Sequence, residues 1–244
     1  TNINLPLLPG TGDEGLHRLY DGLISHILED FKPELIINSA GQDNHFSDPL
    51  ASMAVTAQGY ARLADKLQAD IAVLEGGYSV ESALPYVNTG IILAMAGMDY
   101  SKVLEPDLSE LRKQDPRCNK RVDQLIEQVG DLYFNRERTK KELLQKCNGV
   151  WQRKKHIYYD EEGIREQQLE TVRYCSICDG YFTIQTAAED TRFGDQSAFI
   201  VCLPRDICPN CKQRAYDEAL REKKTGRWQY VFVQHIVDGF IETI

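Results

Sequence analysis

Four cysteines in two pairs, Cys175-x-x-Cys178 and Cys208-x-x-Cys211, separated by 29 residues, constrain this chain more than any other feature. A Cys-x-x-Cys turn presents two sulfurs to one ion, and zinc takes four soft ligands in a tetrahedron. Two such knuckles predict a zinc ribbon with no open coordination position, hence a structural zinc. Cys118, Cys147 and Cys202 read as buried free thiols, with Cys202 near enough to the second knuckle to be a substitute ligand. All seven cysteines follow residue 103. An odd count, partly paired at metal spacing, points to a reducing compartment and to metal rather than disulfides.

Upstream of the cysteines the period of the sequence alternates. Leu16, Tyr20, Leu23, Ile24, Ile27, Leu28 and Phe31 share a helical face, and Lys32-Pro33 ends that helix. Glu34 to Asn38 is a short apolar run without alternation, which predicts a strand buried on both faces. Thr56 caps a second helix, 70–74 is a second buried strand, and Ser79 caps a third helical stretch restarted at Pro85. Helix, strand, helix, strand, helix is an α/β pattern: a parallel sheet with flanking helices, whose sites lie in loops at the carboxyl ends of the strands.

Residues 104–150 read as a charged linker carrying one long helix, 119–146, striped by Val122, Leu125, Val129 and Leu132. Residues 151–244 read as a β-rich zinc-ribbon domain, with hairpins turning near 160–163 and 193–195. The formal charge of −9 argues against a chain built mainly to coat nucleic acid. It is uneven: residues 1–103 hold 5 Lys+Arg and 13 Asp+Glu, or −8, and the remainder holds 23 and 24, or −1. The longest apolar run, 90–98, is far short of the roughly 20 residues of a membrane span. No membrane partner and a cytoplasmic location are expected.

Two loops carry chemistry. Asp43 and His45, directly after the first strand, could face one ion, although such residues are also common turn formers. Gly76 and Gly77 let backbone approach a ligand, and Tyr78 offers a hydroxyl, although a Gly-Gly turn beside a packed Tyr explains them too.

Together these segments resemble the zinc-dependent histone deacetylase superfamily, which includes acetoin-utilisation proteins and acetylpolyamine amidohydrolases. The resemblance rests on Asn4-Leu5-Pro6-Leu7 with Gly10-Thr11-Gly12-Asp13-Glu14-Gly15, on Ser39-Ala40-Gly41-x-Asp43-x-His45-x-x-Asp48-Pro49-Leu50, on Thr56-x-x-Gly59-Tyr60, and on Leu74-Glu75-Gly76-Gly77-Tyr78. It covers about residues 2 to 98 and implies the carboxyl-terminal part of an arginase/deacetylase-like fold, here 1–103. It also implies hydrolysis of an N-acetyl amide, on acetylated protein or a small amine, with one catalytic zinc beside the structural one. By the same resemblance Asp43 is the last ligand of that zinc, Tyr78 stabilises the oxyanion, and Gly76 and Gly77 line the substrate pocket.

The family's Asp-x-His ligands and His-His base precede the segment resembling Asn4 to Gly15 and have no counterpart here. A chain opening on Thr1 is therefore expected to be a piece of a longer protein, unable to turn over substrate alone. Two other readings stand beside this one. An arginase-like ureohydrolase is suggested by Asp43-x-His45-x-x-Asp48-Pro49. A binding module recruiting protein or nucleic acid is suggested by the ribbon and by Arg136, Arg138, Lys140, Lys141, Lys146, Arg153, Lys154 and Lys155.

Overall fold

The computed structural model describes residues 2–106, 108, 113–190 and 192–244. The chain divides into two compact units, Thr1–Arg136 and Glu137–Ile244. Part of the expected linker, 107 and 109–112, lies outside the described residues.

In the first unit the expected helix runs as α1 (Asp13–Leu19), a π-helical turn (Tyr20–Ile24) and α2 (Ser25–Phe31), ending where Lys32 turns left-handed at φ 50°. Strand β1 (Ile37–Gly41) pairs in parallel with β2 (Ile71–Glu75), Ile37 opposite Ile71 and Gly41 opposite Glu75. The first strand thus begins three residues later than its apolar run. Ile36 serves as an anchor instead: its N–H donates to the Asp70 carboxylate at 2.8 Å and its carbonyl accepts from the Asp70 and Ile71 N–H groups. Neither strand is buried on both faces as expected. Ile37 is 57% and Leu74 is 72% exposed, because the sheet has two strands among the described residues and their apolar faces are only partly covered.

Helix α3 (Ala57–Leu67) starts at Thr56, whose side chain accepts from the Gly59 N–H at 3.0 Å. Helix α4 (Leu84–Met95) packs on it through small side chains, Ala57, Ala61 and Ala64 against Val87, Ile91 and Ala94. Gly90 permits the approach, since a Cβ there would lie 3.2 Å from the Ala57 carbonyl oxygen. The expected cap at Ser79 is not a cap. Pro85, with its preset φ, sets the start of α4, while the Ser79 hydroxyl pairs with Ser47 at 3.0 Å.

The long charged helix is two helices that break at Asn135: α5 (Pro116–Phe134), capped by Asp115, and α6 (Arg136–Lys146). Rather than forming part of a linker, α5 buries Val122 and Leu125 against Leu19 and Leu23 in a second core of the first unit.

The second unit is a six-stranded sheet in sequence order: β3 (Val150–Tyr159), β4 (Ile164–Arg173), β5 (Tyr181–Glu189), β6 (Gln196–Leu203), β7 (Tyr230–His235) and β8 (Phe240–Thr243). Both expected hairpins form. All neighbours are antiparallel except β6 and β7, which α7 (Pro209–Thr225) joins by a parallel crossover. The core lies between α7 and one sheet face, Cys211, Ala215 and Ala219 against Phe199, Val201, Leu203, Val231 and Val233. No described helix is long and apolar enough to cross a membrane.

Candidate functional site

The two loops singled out in the sequence meet at the carboxyl ends of β1 and β2. The Gln42 N–H donates to the Gly76 carbonyl at 2.8 Å, joining them backbone to backbone. This brings the Asp43 carboxylate against Gly76, where a Cβ would lie 2.9 Å from Oδ2. Gly77 has φ +135°, and a Cβ there would stand 2.9 Å from the Gln42 Cβ, so only glycine passes this point without strain. Tyr78 follows, 53% exposed.

Asp48 fixes the Tyr78 backbone. Its Oδ2 accepts from the N–H groups of Tyr78 at 2.7 Å and Ser79 at 3.3 Å, and its Oδ1 from Leu50 at 2.9 Å. Burial disfavours the Asp48 charge, but the N–H bonds from Tyr78, Leu50, Ala51 and Ser79 hold its pKa below the ordinary carboxylate value.

His45 does not share an ion with Asp43. Its side chain is fully buried and held at both ring nitrogens. Nδ1 accepts from the Ser47 N–H at 3.2 Å, which places the proton on Nε2, 3.3 Å from Glu105 Oε1. The same Glu105 oxygen accepts from the Ala57 N–H at 3.1 Å, at the start of α3. Burial raises the Glu105 pKa, yet the bonds from His45 and the backbone outweigh it and hold the group below its usual value.

Donors capable of holding a catalytic ion do not gather around Asp43 among the described residues. Among the described residues the group of three or more closely spaced metal-ligating side chains is Cys175, Cys178, Cys208 and Cys211, whose sulfurs all lie within 4.8 Å of one another. The first pair sits between β4 and β5; the second lies on a helix, Cys208 as the N-cap of α7 and Cys211 in its first turn, rather than on a second hairpin. Backbone N–H groups of Cys178 and Ile177 pull the Cys175 thiol down to about 6, while burial pushes Cys211 up.

Two site residues had no legible role in the sequence, Glu105 and Gln114, whose side-chain oxygen accepts from the Gly12 N–H at 2.7 Å; Asp48 was legible as part of a motif but not as the clamp on Tyr78. Tyr60, buried beside Asp43, has a hydroxyl raised by burial and by that neighbouring charge. It lines a cavity of about 470 Å³ with Asn38 to Gly41, Asn44, Leu5 and Leu7.

Residues 1–94 match the histone deacetylase domain family. These residues belong to the histone deacetylase superfamily. The resemblance read from the motifs is therefore borne out. A probable deacetylase of Archaeoglobus fulgidus is 52% identical over 126 residues, 46% of this chain and 35% of that protein. The acetoin utilization protein AcuC of Bacillus subtilis is 31% identical over 125 residues, 47% of this chain and 32% of that protein. The chain thus spans about a third of the length of these relatives. Among solved structures, the HD domain of HDA15 aligns at 22% identity with a TM-score of 0.45, over 59% of this chain and 38% of that one.

Proposed function

We propose that the first unit is part of a zinc-dependent amidohydrolase that removes acetyl groups from acetyl-lysine or acetylated amines. The observation that carries the reading is the junction of the two loops, where Asp43 rests on Gly76 and Asp48 grips the Tyr78 backbone. In this reading the Tyr78 hydroxyl donates to the oxyanion that forms as the amide carbon turns tetrahedral. Gly76 and Gly77 leave room for the acyl group beside it. Donors of this kind, fixed before the reaction, are worth about 10²–10³ in rate.

A single carboxylate, Asp43, does not hold a catalytic ion. A zinc at this site takes its other donors, and the reaction its general base, from outside the described residues. The ureohydrolase reading is disfavoured because Asp48, which a paired-metal site would need, already accepts three backbone N–H groups. The nucleic-acid reading is weakened because five of the eight basic residues in its cluster are ion-paired, Lys141, Lys146 and Lys154 having no such pair among the described residues. Arg136 pairs with Asp30, Arg138 with Glu142, Lys140 with Asp179, and Arg153 and Lys155 with Glu170.

The test is a graft of residues 1–94 into the matching segment of the Archaeoglobus fulgidus relative, assayed on an acetyl-lysine peptide beside the 244-residue chain alone. The graft is expected to turn over and to lose about 10²–10³ in kcat on Tyr78→Phe, with the isolated chain inactive. A folded graft whose activity ignores Tyr78→Phe overturns the assignment.

A further inference from the structure

We propose that Cys175, Cys178, Cys208 and Cys211 hold one structural Zn²⁺ that fastens the amino end of α7 to the β4–β5 connection and keeps the second unit folded. The inference does not rest on the deacetylase reading, which concerns other residues.

The geometry is that of a metal-thiolate site. A tetrahedron of 2.3 Å Zn–S bonds has edges of about 3.8 Å; Cys175 and Cys208, from different elements, already stand 4.0 Å apart at sulfur. None of the four is in a disulfide. The backbone is folded to support anionic sulfur: the Ile177 N–H donates to Cys175 Sγ at 3.4 Å and the Gly180 N–H to Cys178 Sγ at 3.3 Å. That second bond needs Gly180. Its φ is +79°, and a Cβ there would run into the Arg173 carbonyl oxygen. On the other side, Cys208 caps and Cys211 enters the first turn of a 17-residue helix, where the unpaired N–H groups and the helix dipole favour negative charge.

The placement argues for a structural role. Cys175, Cys178 and Cys208 pack at the edge of the core that Cys211 enters. Beyond its cysteines α7 buries Ala215, Ala219 and Glu218, a small apolar face for a helix this charged, so an added fastening is what such a unit needs. Four thiolates close the coordination sphere and leave no position for substrate or water, which suits zinc as a staple and not as a catalyst. The remaining cysteines stay outside: the Cys202 thiol donates to Gln234 Oε1 and the Cys118 thiol to the Pro9 carbonyl, each at 3.7 Å.

The experiment uses the purified 244-residue chain, with metal content by mass spectrometry and Co²⁺ exchanged for the native metal. One zinc per chain is expected, with thiolate-to-cobalt charge transfer and the intense visible bands of tetrahedral cobalt. Cys175→Ser with Cys208→Ser removes that ion, and Cys147→Ser and Asp43→Ala keep it. Chelation shifts the emission of Trp151 and Trp228, both in the second unit. A chain that holds no zinc, zinc that survives the double variant, an ion lost with Asp43→Ala, or cobalt without thiolate bands overturns the proposal. The cobalt spectrum is read on the unmodified chain, so it decides even where a serine variant fails to fold.

Discussion

The Asp48 carboxylate grips the backbone N–H of Tyr78 at 2.7 Å, across 30 residues of chain. Replacing Asp48 by Asn puts donors opposite donors, and a hydrogen bond to a charged group contributes about 1.5–3 kcal/mol. Amide exchange at Tyr78 and Ser79 should quicken by about an order of magnitude or more in D48N, with α3 unaffected. Acid should act alike on the native chain. The folded pKa lies below the unfolded value near 3.8, so the stabilisation is complete above that pH and fades as pH falls through the folded value. Protection at these two amides is expected to hold at about pH 5 and to decline below about pH 4; protection that stays flat through that range counts against the bracket.

His17 is buried on α1 with neither ring nitrogen partnered. Burial, then the charges of Lys66 and Arg62, lower its pKa below 6.5. Here the unfolded chain binds the proton more readily, so stability of the first unit falls as pH drops from 6.5 toward the folded value. Exchange protection in α1 measured across pH 7.5 to 5 should show this slope, and His17→Leu should flatten it. An unchanged slope in the variant would place the effect elsewhere.

Glu218 is a buried polar residue beside the core of the second unit. It pairs with the Arg173 guanidinium through Oε1 and accepts from the Tyr181 hydroxyl at 2.9 Å through Oε2. Burial and this carboxylate push the Tyr181 pKa up to about 12, so the phenol remains a donor at neutral pH. Glu218→Ala strands both partners; because Arg173 keeps partial contact with solvent, a loss of about 2 kcal/mol is expected. Urea unfolding followed by tryptophan emission reports on it, since both tryptophans lie in this unit. A midpoint that does not move would remove Glu218 from the core's support.

Gly76 and Gly77 should respond differently to alanine. At Gly76 the new methyl meets the movable end of Asp43, so melting should change little while the Asp43 carboxyl carbon shift moves. At Gly77 the methyl meets the Gln42 Cβ with the backbone at φ +135°, and about 1–3 kcal/mol of strain is expected. Equal melting losses in the two variants would contradict this division.

What the sequence made legible was local. Thr56 is a cap because its oxygen reaches an N–H three residues on, and the turns at 160–163 and 193–195 carry their own signals. Glu105 was invisible because its partners His45 and Ala57 are 60 and 48 residues away. Helix α7 was missed because a Cys-x-x-Cys pair reads as a knuckle whether a hairpin or a helix end carries it, and the helix buries little besides alanine. The strands' burial was misjudged for the opposite reason: Leu35, Ile36 and Ile37 state an appetite for cover, whereas exposure depends on what lies alongside.

That unmet appetite has a practical side. Ile37, Ile71, Val73 and Leu74 stand in water on a parallel ribbon whose outer edges are unpaired among the described residues. An open edge beside an oily face is a template for a foreign strand. The ceiling on handling this chain is therefore colloidal: turbidity should rise with protein concentration well below the melting temperature, and a lysine at Val73 should raise the solubility limit while leaving the melting curve in place.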